Sequence, residues 1–94
     1  MPVVFVPSLM RGLTQGRSKV EVAGQTVGEV IEELDRVYPG VRAKLVDGGR
    51  LSPGVSVAID GEMAPLGLAE AVGESSEIHF LPAIGGGSAV ASGG

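Results

Sequence analysis

The chain has 94 residues, no cysteine, one histidine, and a formal net charge of −4 from seven Lys plus Arg against eleven Asp plus Glu. That length suits one small domain with a single core and leaves no room for a large catalytic cleft. The lack of cysteine excludes disulfides, thiolate metal sites and iron–sulfur clusters, and the absence of any run of Lys and Arg disfavours nucleic-acid or anionic-membrane binding.

The opening "MPVVFVPSLMRG" has neither a basic leader nor an apolar stretch of signal-peptide length, so a cytoplasmic protein is expected. Val3 to Val6 is a β-branched and aromatic run stopped by Pro7, which cannot donate to a sheet ladder; it reads as a first strand. Ser8 to Gly16 reads as a loop. In "KVEVA", Val20 and Val22 alternate with Lys19 and Glu21, the period of a half-buried strand, and a hairpin joins it to the first.

The period then changes. Val27, Val30, Ile31, Leu34, Val37 and Tyr38 recur at spacings of three and four, which places them on one stripe of a helix. Thr26 and Glu29 form a T-x-x-E capping box, with Glu29 expected to reach back to the cap, and Pro39-Gly40 ends the helix. "VRAKLVDGG" reads as one further helical turn ended by Asp47, Gly48 and Gly49, and "RLSPG" as an ordered loop. "VSVAIDG" alternates with Val55, Val57 and Ile59 inward and Ser56, Ala58 and Asp60 outward, and Asp60-Gly61 signals a turn. Leu66, Leu68 and Val72 are expected to anchor a compact connection. "EIHFL" is the last strand, stopped at Pro82.

The order strand, strand, helix, strand, strand predicts an α+β β-grasp: a mixed sheet of four to five strands with one main helix on one face, entered by a right-handed crossover. The β-grasp domain is expected over residues 1–84, with a flexible Gly-rich tail over 85–94.

With "LPAIGGG" directly after the final strand, the early "VPSLMRG" loop, the capped helix and the "VAIDGE" turn, the chain resembles the ThiS/MoaD family of small ubiquitin-like sulfur carriers along its whole length. The similarity is greatest to the carriers of thiocarboxylate-dependent cysteine biosynthesis and the small subunit of molybdopterin synthase. The resemblance implies a protein cosubstrate rather than an enzyme, with no bound cofactor. Its C-terminal glycine carboxylate would be adenylated by a ubiquitin-activating-type enzyme that uses ATP and Mg, converted to a thiocarboxylate, and delivered to a sulfur-accepting synthase. The alternative is a ubiquitin-like modifier joined to lysines through the same glycine, and a third reading is an interaction module with an inert tail.

The last fourteen residues, "LPAIGGGSAVASGG", carry no charged side chain. Two chain ends compete for the reactive role. Gly94, preceded by Gly93, is favoured, since a random tail ends in Gly-Gly only about once in 200 times at a glycine usage of roughly 7%. The alternative is Gly87, preceded by Gly86, exposed when a metalloprotease removes Ser88 to Gly94. Glycines suit either end, because without Cβ they thread narrow channels.

Other residues receive structural assignments. The glycine stretch is no phosphate loop, since no Lys follows and it opens no helix. His79 lies opposite Ile78 and Phe80 and reads as a partly exposed sheet residue. Glu29, Glu32, Glu33 and Asp35 read as a solvated helix face. If Val4, Val6, Ile78 and Phe80 face the helix, alternation puts Phe5 and Leu81 on the open sheet face with Ala58 beside them, an apolar patch expected to bind partners.

Overall fold

The computed structural model describes residues 1–82. Seven strands, β1 (Val3–Phe5), β2 (Lys19–Glu21), β3 (Val46–Asp47), β4 (Arg50–Leu51), β5 (Val55–Ile59), β6 (Glu62–Met63) and β7 (Glu77–Pro82), accompany two helices, α1 (Val27–Val37) and α2 (Val41–Leu45). The main sheet has the order β2-β1-β7-β5-β6, with β1 and β7 parallel at its centre and the other pairs antiparallel. This is the expected β-grasp. The expected boundary between residues 84 and 85 lies outside the described residues.

The core forms because the two periods meet. Val4, Val6, Val57, Ile78 and Phe80 project from the sheet, and Val27, Val30, Ile31 and Leu34 from α1, into one buried cluster completed by Met10, Val22, Val41 and Leu45. The cap is formed as read: Thr26 Oγ1 accepts from Glu29 N–H at 3.2 Å. Glu29 reaches one residue further than expected, accepting from Gln25 N–H at 2.9 Å, because Gln25 to Val27 are also engaged with Glu70 to Val72. Val37 is a correction. It is 49% exposed rather than on the buried stripe, since in the last turn the half-buried Tyr38 takes the inward position.

Two local elements differ from the sequence reading. Ser8–Met10 is a 3-10 turn that buries Met10, and residues 46–51 form a small hairpin, β3 with β4, around Gly48 and Gly49 at φ 64° and 84°. Asp60-Gly61 is the expected two-residue turn: both residues have positive φ, and Ile59 faces Glu62 across it.

Gly24 marks the closest approach of the β2–α1 connection to the helix. A Cβ there would lie 2.7 Å from Val30 Cγ2 and 2.8 Å from Val30 N, so backbone as well as side chain would have to move. Gly24→Ala is expected to destabilise the fold by about 1–3 kcal/mol, read as a lower denaturant midpoint with an unchanged slope.

Candidate functional site

The open face of the sheet carries one continuous cross-strand row. Register places Lys19 opposite Phe5, Phe5 opposite His79, His79 opposite Ala58, and Ala58 opposite Met63. The Phe5 and His79 rings sit 4.2 Å apart between centroids with a 55° tilt, and Lys19 Nζ lies 5.6 Å from the Phe5 centroid. Both contacts have attractive geometry, the tilted ring pair by edge and face complementarity and the ammonium by the ring quadrupole. Leu81, opposite Ser56 in the next row, is 47% exposed, and Met63 is 60% exposed.

The three expected contact residues therefore divide. Phe5 is half-buried and Leu81 exposed, both on the open face as the alternation required. Ala58 is corrected: it lies in the row but is 8% exposed, because its methyl sits between the longer side chains of His79 and Met63. It sets the level of the surface without offering much of it. Sequence reading missed Met63 and Lys19. Met63 was legible in principle, because it mirrors Ala58 about the Asp60-Gly61 turn.

Gly86, Gly87, Gly93 and Gly94 lie outside the described residues. What the structure does place is the strand that precedes them, β7, which runs through Leu81 to Pro82. The open face and the tail are thus joined by the same strand.

Several other charged groups are engaged in local structure. Glu32 pairs with Arg42 at 2.6 Å and Glu33 with Arg36 at 2.8 Å. Asp35 Oδ1 accepts from Gly40 and Arg42 N–H, tying α1 to α2. The Arg36 hydrogen bond lowers the Glu33 pKa, and Glu33 in turn raises that of Arg36. The contribution of Glu33 is present above the ordinary carboxylate pKa and disappears as pH falls through the depressed one. Among the described residues no three His, Cys, Asp or Glu gather as a metal site, and no helix is long and apolar enough to cross a membrane.

The ThiS family model matches residues 5–87, from β1 through β7 and into the glycine run. The chain belongs to the ThiS family. The sulfur carrier protein CysO of Mycobacterium tuberculosis is 33% identical over 89 residues, covering 89% of this chain and 96% of that protein. Its crystal structure superposes with a TM-score of 0.84, covering 89% and 100% of the two chains at 30% identity. A carrier solved in the Amycolatopsis orientalis BexX/CysO complex gives a TM-score of 0.85 at 29% identity, covering 99% and 100% of the two chains. Small archaeal modifier protein 3 of Haloferax volcanii is 33% identical over 64 residues, covering 66% of this chain and 70% of that one. This ThiS-family chain is a CysO-like sulfur carrier, and such carriers are non-catalytic.

Proposed function

We propose that this carrier holds sulfur as a thiocarboxylate on its C-terminal glycine, after adenylation of the carboxylate by a ubiquitin-activating-type enzyme using ATP and Mg, and donates it in the biosynthesis of cysteine or of a sulfur-containing cofactor or metabolite. Family membership through β7 and the glycine run carries the reading, because that segment joins the docking face to the reactive end. The chemistry is economical. A carboxylate is a poor electrophile until one oxygen becomes part of a good leaving group; AMP supplies it, sulfide sulfur replaces it, and the resulting thiocarboxylate sulfur is a nucleophile.

The reactive carboxylate is assigned to Gly94, preceded by Gly93. The family match ends at Gly87, which supports the alternative in which a metalloprotease exposes the Gly86-Gly87 pair. A cytoplasmic location fits this use of ATP. The likeness to a small archaeal modifier protein favours, as second reading, conjugation to lysines through the same glycine. Mass spectrometry of the protein from its own cells decides between them: one oxygen replaced by one sulfur supports the carrier, lysine-linked adducts support the modifier, and neither product in cells grown without added cysteine overturns both.

Phe5, Leu81 and the Ala58 row are the proposed contact with the activating enzyme and with a sulfur-accepting synthase. The solved complex of the Amycolatopsis carrier with BexX supports docking by a protein of this shape. Phe5→Asp is expected to weaken binding to the activating enzyme by about tenfold or more, the loss typical of a central aromatic anchor. Circular dichroism should show an unchanged fold, and unchanged affinity in calorimetry would remove the face from this role.

A further inference from the structure

The net charge of −4 conceals a separation of charge along the sheet. The first twenty residues hold Arg11, Arg17 and Lys19 and no acid. All three lie in the β1–β2 connection or at the start of β2, and all are exposed. Because β1 and β7 are parallel and β2 antiparallel to β1, this connection sits at the end of the sheet where β7 finishes. Three cations therefore lie at the end of the sheet at which β7 reaches Pro82. At the opposite end, where β1 and β7 begin and β5 turns into β6, stand Glu21, Asp60, Glu62, Glu74 and Glu77, all exposed, against the single ammonium of Met1.

The cationic end is held in place. Thr14 is fully buried: its hydroxyl donates to the Arg17 carbonyl at 2.9 Å, its backbone N–H donates to the Arg11 carbonyl at 3.1 Å, and its carbonyl accepts from Arg17 N–H at 3.0 Å, so one residue fastens the backbone of both arginines. Arg11 Nε donates to the Val6 carbonyl at 3.2 Å, and Lys19 lies over the Phe5 ring. Among the described residues none of the three forms an ion pair; the two pairs present use Arg36 and Arg42.

We propose that Arg11, Arg17 and Lys19 dock against an acidic rim around the tail-accepting site of the activating enzyme, and that the charge separation turns the carrier so that it meets this partner tail-end first. The proposal rests on the functional reading above. Complementary potentials act on the encounter: the cationic pole is drawn to the rim and the anionic pole is turned away, which raises the association rate more than it slows dissociation. Three cations without a longer basic stripe suit an acidic protein rim better than a polyanion backbone, which takes more phosphate contacts.

The test is stopped-flow association of the full-length carrier with the ubiquitin-activating-type enzyme of the same organism, followed across ionic strength. The wild-type rate should fall about tenfold between roughly 0.03 and 0.5 M salt as the Debye length contracts. Arg17→Glu with Lys19→Glu should associate about tenfold more slowly at low salt and lose that salt dependence. Glu62→Lys with Glu74→Lys, at the far pole, should stay within about threefold of wild type. Thermal melting should show every variant folded. Wild-type association by the Arg17→Glu/Lys19→Glu variant would overturn the proposal. So would a defect confined to the apparent KM for ATP, which would place the cations on a phosphate instead. Failure of the wild-type carrier to bind or to gain sulfur would instead overturn the functional reading, and the proposal with it.

Discussion

Incubated with its activating enzyme, ATP and a sulfide source, the 94-residue chain should gain the mass difference of one sulfur for one oxygen, and a chain shortened by Gly93 and Gly94 should gain none. On the proposed chemistry the difference is all or none, because a chain ending at Ser92 is two residues shorter and carries a side chain at its last position where Gly94 has none. Phe5, His79 and Leu81 would still present the docking face in the shortened chain, so its affinity for the enzyme should fall much less than its activation. Reach permits either assignment of the reactive end. From Pro82, Gly87 lies at most about 17 Å away and Gly94 about 40 Å, at roughly 3.3 Å per extended residue. The longer tether costs more ordering entropy on insertion, on the order of 1 kcal/mol or more for each residue fixed. If the full-length chain never gains sulfur while a version ending at Gly87 does, Gly94 is not the reactive end and Ser88 to Gly94 is a precursor segment. If neither gains sulfur, the carrier chemistry itself is refuted.

The parts of this molecule that were legible in the sequence are those in which one pattern repeats long enough to be measured. Helix α1 repeats its apolar stripe over three turns and carries its own start and stop, so Thr26, Glu29 and Pro39 fixed its limits to within a residue. The phase of β7 followed from Ile78 and Phe80, and with it the exposure of Leu81. Strands β3 and β4 have two residues each, too few for any alternation, and the Asp47-Gly48-Gly49 run that ends a helix equally well makes a tight hairpin. Ala58 was assigned to the correct face but to the wrong depth, since depth depends on the neighbours His79 and Met63, which only strand register supplies. The cationic end was invisible for the same reason. Arg11, Arg17 and Lys19 precede the last strand by 58 to 66 positions, and only the parallel pairing of β1 with β7 brings them to the end where that strand finishes.

Phe80 and Leu81 are adjacent in β7 and face opposite sides of the sheet, so truncating each should disable the carrier by a different route. Phe80 is 3% exposed and lies opposite Val57 within the cluster that α1 covers. Phe80→Ala removes that buried ring and leaves a cavity, which is expected to destabilise the fold by about 3–5 kcal/mol. For a domain of this size the Tm should fall by at least about 12 °C, at roughly 4 °C or more per kcal/mol. Sulfur loading should then fail only as the population unfolds, and should recover on cooling. Leu81 is 47% exposed and touches the open face instead. Leu81→Asp should leave the Tm within about 3 °C of wild type, as surface substitutions usually cost less than about 0.5 kcal/mol. It should nevertheless weaken binding to the activating enzyme at every temperature, because a carboxylate would be desolvated without a partner when the face is covered. Loss of Tm in the Leu81 variant would mean that this side chain packs into the core. Unaltered stability in the Phe80 variant would mean that β7 does not close the core, and either result would break the link drawn between the docking face, the strand and the reactive end.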